Sequence, residues 1–170
     1  PLLSISGSLF DCQKGYPLEE LLKRNVVLEF QGLASEFQDF LVNLVFYSVF
    51  LFQFNQPRPG CLKTALIFDE AKAVMNRTKA SGNSIISTLL SQSREMGLAA
   101  ICADQMPSEL GHALLANVFS IMTLSLSARR DQTEMATAIG LNAEQRDWMH
   151  RLKVGQGIVR MADRYSWPFL

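Results

Sequence analysis

The sequence predicts an α/β domain, with a mostly parallel sheet flanked by helices. Three observations carry this. Short, almost wholly apolar runs such as "NVVLEF" and "LAAICAD" alternate with longer segments of helical character. Strands apolar on both faces are those of a parallel sheet covered on both sides. The 170 residues are 48% hydrophobic and only 19% charged, enough for the packed core of one domain and unlike a disordered chain.

Each element has a local reason. Ser8 to Arg24 reads as a turn and a short helix, with Pro17 at the first helical position. Asn25 to Phe30 is a β-branched run, so a buried strand. "LASEFQDFLVNLVFYSVFLFQF" is a long apolar helix, opened by Ser35 and Gln38 as a capping box. "NQPRPG", Asn55 to Gly60, is a loop. "TALIFDEA" is the second strand, and "NRTKASGN", Asn76 to Asn83, a polar loop. Ser84 to Met96 is a helix stopped by Gly97. Leu98 to Asp104 is the third strand, followed by Pro107 and a short helix around Glu109 to Leu115. Val118 to Leu126 is the fourth strand. Asp131 and Glu134 cap the next helix, which Gly140 ends; Asn142 and Gln145 cap another. "GQGIVRM" is a fifth, shorter strand.

Composition excludes several functions. Lys plus Arg is 16 and Asp plus Glu is 16, so a strongly basic nucleic-acid module is not indicated. Cys12, Cys61 and Cys102 lie far apart with no CxxC pair. That argues against a disulfide framework or zinc site and for a reducing cytoplasm. His112 and His150 fit packing or surface roles. The N-terminus lacks the basic and apolar regions of a signal peptide. The apolar stretch Phe40 to Phe54 falls short of the roughly 20 residues of a membrane span. Asn43, Ser48 and Gln53 interrupt it, so it reads as a helix buried in protein.

The chemistry concentrates in "TALIFDEAKAVM". An apolar run stops at two adjacent acids, Asp69 and Glu70. Ligands of open parallel sheets bind at the carboxyl ends of strands. Two neighbouring carboxylates there need compensation, and magnesium held through water and phosphates supplies it. Asp69 is then the magnesium residue, and Glu70 orients or deprotonates a water that attacks a terminal phosphate. The plainer reading is two strand-end acids facing solvent. The run "LAAICADQ" ends in Asp104 and Gln105, a second polar tip. A glutamine there can hydrogen-bond both a phosphate oxygen and the attacking water.

The ordered set "LIFDEAKAVM", "SQSREMGLAAICADQMPSEL" and "ANVFSIMTLSLSARRDQTEMATAIGL" resembles the HerA/FtsK superfamily of P-loop ATPases. HerA-like proteins and the ATPases of conjugative transfer and type IV secretion are nearest. The segment from Pro17 to Phe50 is similar to what precedes the Walker B strand in those proteins, so the resemblance covers nearly the whole chain. It implies a partial RecA-like three-layer fold and a cytoplasmic, hexameric ring that uses ATP and magnesium to move DNA or a protein–DNA complex. Asp69 becomes the Walker B aspartate, Glu70 the catalytic glutamate and Gln105 the sensor glutamine. Arg94 is placed to contact ATP on a neighbouring subunit, where a cation would stabilise the transferring phosphate. As a residue alone, Arg94 equally suits a helix C-terminus. Arg129 and Arg130 are weaker candidates for that role and read better as a solvated helix start. Arg77 and Lys79 suit either a pore loop or a surface loop.

One departure is large. No G-x-x-x-x-G-K-[ST] occurs anywhere. "GCLKT", Gly60 to Thr64, has the wrong glycine spacing and precedes a strand, whereas a P-loop follows one and opens a helix. The expectation is a single incomplete RecA-like domain over residues 1–170, from Walker B to the C-terminal part, inactive alone. The resemblance implies a missing P-loop strand between the strand ending at Asp104 and that of Val118 to Leu126. Those two then pair directly or receive a strand from another chain. The alternatives are a non-catalytic ATPase-derived module for assembly or scaffolding, and an unrelated doubly wound domain binding a small ligand.

Overall fold

The computed structural model describes residues 14–30, 32–58, 60–72, 92–110, 112–162 and 164–169. Cys12, the Asn76 to Asn83 loop with Arg77 and Lys79, and most of the Ser84 to Met96 helix lie outside them. Two compact units form, Pro1–Leu66 with Thr88–Ile101, and Ile67–Ser87 with Cys102–Leu170.

In the first unit, α1 (Leu18–Leu22) starts one residue later than expected, with Pro17 as its N-cap. The long helix α2 (Ser35–Phe54) is capped by Ala34, which has no side-chain oxygen, so the expected box with Ser35 does not form. The Gln38 amide is used otherwise. Its Nε2 donates to the carbonyls of Phe30 at 3.0 Å and Leu33 at 2.9 Å. Nor is α2 buried all round. Phe37, Phe46, Val49, Phe50 and Gln53 face the interior, while Phe40, Leu44, Tyr47, Leu51 and Phe54 are exposed. Burying the Gln53 amide requires a partner, and Thr64 Oγ1 accepts from its Nε2 at 2.8 Å.

Strands β1 (Thr64–Phe68) and β2 (Leu98–Cys102) form a two-stranded sheet. Lys63 and Thr64 N–H donate to Gly97 O at one end, and Ala103 N–H donates to Phe68 O at the other. The strands are therefore parallel. Gly97, left-handed at φ 68°, ends the preceding turn as expected. The run Asn25 to Phe30 is a correction: it forms no strand, and Val27 is 83% exposed. A β-branched run becomes a strand only against a ladder partner, and none is paired with it among the described residues.

The second unit carries α3 (His112–Asn117), β3 (Ser120–Thr123), α4 (Arg129–Ile139), α5 (Ala143–Trp148), β4 (Ile158–Met161) and β5 (Tyr165–Phe169). Strands β3, β4 and β5 form an antiparallel sheet, with Ser120 opposite Met161 and Thr123 opposite Ile158. Direct pairing of the third and fourth predicted strands is also corrected. β2 and β3 belong to separate sheets. An apolar run has the same pattern read in either direction, so it could not show which neighbour β3 takes.

Ile121, Met135, Ala136, Ile139, Met149 and Ile158 make this unit's core. Gly140, at φ 86°, ends α4 as expected. Asp131 does not cap it; Ala128 does, and buried Asp131 accepts Ser108 N–H at 3.0 Å instead. The Asn142–Gln145 box does form, at 3.0 and 2.9 Å. Trp148 and Trp167 are exposed, and the Arg151 guanidinium lies 4.9 Å from the Trp148 ring centre. No helix among the described residues is long and apolar enough to cross a membrane.

Truncating the core should cost more than removing a cap. Ile139→Ala is expected to destabilise by about 2–5 kcal/mol and Asn142→Ala by about 1 kcal/mol in urea titrations.

Candidate functional site at the strand tips

The chain makes an unusual turn where β1 ends. Glu70 has φ 51°, the one non-glycine residue with positive φ among the described residues. Left-handed backbone costs a side-chain-bearing residue about 1–2 kcal/mol, so its surroundings must hold it there. Ala103 does so from the tip of β2. Its N–H donates to Phe68 O at 2.9 Å, and its carbonyl accepts Ala71 N–H at 3.0 Å. These two bonds bracket Asp69 and Glu70. Ala71 is 0% exposed, which pins the chain just past the turn. Glu70 N–H donates to Asp69 Oδ1 at 3.0 Å. Both acids are exposed.

Asp104 adds a second tie. Its Oδ2 accepts Lys72 N–H at 2.6 Å, and its Oδ1 accepts Met106 N–H at 2.8 Å. Gln105 sits between those anchors and is exposed. Burial, then the neighbouring Asp104 charge, pushes the Cys102 thiol above its usual range. That keeps it protonated and unreactive near neutrality.

Asp69, Glu70 and Gln105 thus share the second unit, on neighbouring strand tips, while Arg94 lies in the first. Arg94 is exposed, in the Arg94–Met96 turn, and its carbonyl accepts Gly97 N–H at 3.2 Å. Arg129 pairs with Asp147 at 2.6 Å on the surface, and Arg130 is exposed.

The donor set bears on magnesium. No group of three or more His, Cys, Asp or Glu able to hold a metal occurs among the described residues. Asp69 spends one oxygen on Glu70 N–H, and among the described residues no hydrogen bond engages the other. That fits an ion held through water and delivered with nucleotide phosphates, and does not fit an all-protein cage.

Sequence reasoning treated Asp104 only as a polar tip. Its bond to the amide two residues on is the Asx-turn signature, legible in principle. Its bond to Lys72, 32 positions away, is not.

No family model and no curated protein matches the chain. Solved structures do. VirB4 of Thermoanaerobacter pseudethanolicus aligns with TM-score 0.63 at 17% identity, over 82% of this chain and 37% of its own. The genome packaging NTPase B204 of Sulfolobus turreted icosahedral virus 2, in complex with AMP, aligns with TM-score 0.65 at 16% identity, over 92% and 72%. Its complex with AMPPCP gives 0.65 and 16%, over 89% and 68%. This chain therefore spans little more than a third of VirB4. At these identities the likeness establishes the fold alone, a partial RecA-like one.

Backbone strain at Glu70 has a measurable sign. Glu70→Gly should be more stable than Glu70→Ala by about 1 kcal/mol in denaturant titrations, the reverse of ordinary backbone positions.

Proposed function

We propose that this chain is the Walker B and sensor part of a ring-forming motor ATPase that couples ATP hydrolysis to translocation of DNA or a protein–DNA complex. The observation that carries the reading is the left-handed Glu70 at the tip of β1, bracketed by Ala103. Strain of this kind, held by fixed hydrogen bonds, concentrates at functional sites. Support comes from the fold shared with an NTPase whose structures hold AMP and AMPPCP.

The roles follow from side-chain chemistry. Glu70 accepts a proton from the attacking water as its oxygen bonds to the terminal phosphorus and the bond to the leaving diphosphate oxygen breaks. Gln105 donates its amide N–H to a phosphate oxygen and accepts from the same water. Asp69 would hold magnesium through its water shell, and the ion when bound would supply neutralising charge on the phosphates. Arg94 approaches the phosphate of a neighbouring subunit in a hexamer. The assembly acts in the cytoplasm, as part of a secretion, conjugation or DNA-processing machine.

Hydrolysis also needs a phosphate cradle, and the sequence has no G-x-x-x-x-G-K-[ST]. Active turnover is therefore assigned to an assembly in which a phosphate-binding loop joins this chain. That missing motif equally favours a second reading, a non-catalytic ATPase-derived module used in assembly or scaffolding.

Two measurements separate these. Calorimetry on this chain alone should detect ATP binding no tighter than millimolar, and micromolar affinity would contradict the assigned dependence on a separate cradle. In an assembly that hydrolyses ATP, Glu70→Gln should lower turnover by about 100-fold or more while ATP affinity stays within about threefold. Turnover that survives the change would remove Glu70 as the base, and a scaffold would show no turnover to lose.

A further inference from the structure

Asp104 is adjacent to Gln105 and two residues beyond Cys102, the last residue of β2. Its carboxylate spans two stretches of backbone. One oxygen holds Lys72, two residues past Glu70; the other holds Met106, the residue after Gln105. The backbone just past both residues with proposed roles at the reacting water is therefore tied to one carboxylate. Both bonds join a carboxylate to backbone N–H, the charge-assisted kind that is short and strong.

We infer that Asp104 is a positioning residue, a clasp that sets the left-handed turn at Glu70 and the placement of Gln105 in the same act. The inference rests on the roles proposed for those two residues. Each Asp104 oxygen accepts a backbone N–H, which suits this carboxylate to holding the chain in place. The adjacent acids and the Asp104–Gln105 pair thus differ in kind. Asp69 and Glu70 are exposed, and Asp69 gives one oxygen to its neighbour's N–H, whereas Asp104 gives both of its oxygens to backbone N–H groups, one of them 32 positions away.

The left-handed turn shows why a clasp is needed. Ala103 brackets the turn through Phe68 and Ala71. Ala71 alone fixes the chain's position at one point, and Lys72 N–H on Asp104 adds a second, so the direction of exit is fixed too. Without the second tie, Glu70 is free to relax toward ordinary backbone dihedrals and swing its carboxylate away. Asparagine retains one carbonyl oxygen to accept a single N–H, so it preserves half of the clasp.

The test has a structural arm and a kinetic arm. In the chain as it stands, Asp104→Ala should speed hydrogen exchange at the Lys72 and Met106 amides by about tenfold or more, with core amides of α4 unchanged. Asp104→Asn should fall between, and it serves alone if the alanine variant does not fold. Unchanged exchange at both amides in the asparagine variant overturns the clasp whatever the protein's activity. In an assembly that hydrolyses ATP, Asp104→Asn should lower kcat by about 10-fold or more with KM for ATP within about threefold, a split that general destabilisation does not give. Asn should also retain more kcat than Ala. Equal loss in kcat/KM through KM alone overturns the positioning role. Faster exchange in the variants, with no ATP turnover in any assembly, upholds the clasp and instead overturns the hydrolytic reading of Glu70 and Gln105.

Discussion

The site depends on parallel pairing that continues past the ends of its strands. Ala103 lies beyond β2, yet it still bonds Phe68 on one side of the acidic turn and Ala71 on the other. Between those bonds the chain has room for two residues and no freedom to choose their path. The left-handed φ of Glu70 is what that closure demands of an L-residue. Glycine would adopt it more easily. A glutamate there gives up backbone comfort for a carboxylate at the strand tip, the trade expected where function opposes stability.

How much of this was legible depends on how far each interaction reaches along the chain. Gly97 and Gly140 announced left-handed helix ends, because that conformation is a property of one residue. Asn142 and Gln145 announced their box, because its partners are three positions apart. Ser35 with Gln38 and Asp131 with Glu134 carried similar local patterns and formed no box. Gln38 found carbonyls ahead of the helix, and Asp131 found Ser108 N–H. A cap is only one of several bonds such a side chain can make, and tertiary partners decided.

The strands divide in the same way. Apolar runs located β1, β2, β3 and β4, but the pattern holds no direction, so the antiparallel β3–β4–β5 sheet was not foreseen. Asn25 to Phe30 had the composition of a strand without the neighbour that makes one. At the site, the residue types Asp69, Glu70 and Gln105 were readable from their place after apolar runs. The left-handed turn and the reach of Asp104 to Lys72 were not, since both arise from contact between distant segments.

The two tryptophans have a practical bearing on how this molecule can be observed. Trp148 is 58% and Trp167 84% exposed, and the sequence has no other tryptophan. Their indole rings already meet water in the folded chain, and one carries a guanidinium over its face. Their emission colour therefore changes little when the core of Met135, Ile139 and Met149 comes apart. Intrinsic fluorescence reports on the surface near Arg151, while backbone dichroism follows the interior. With so small a change in emission, fluorescence makes a poor second probe for a test of two-state unfolding in this protein.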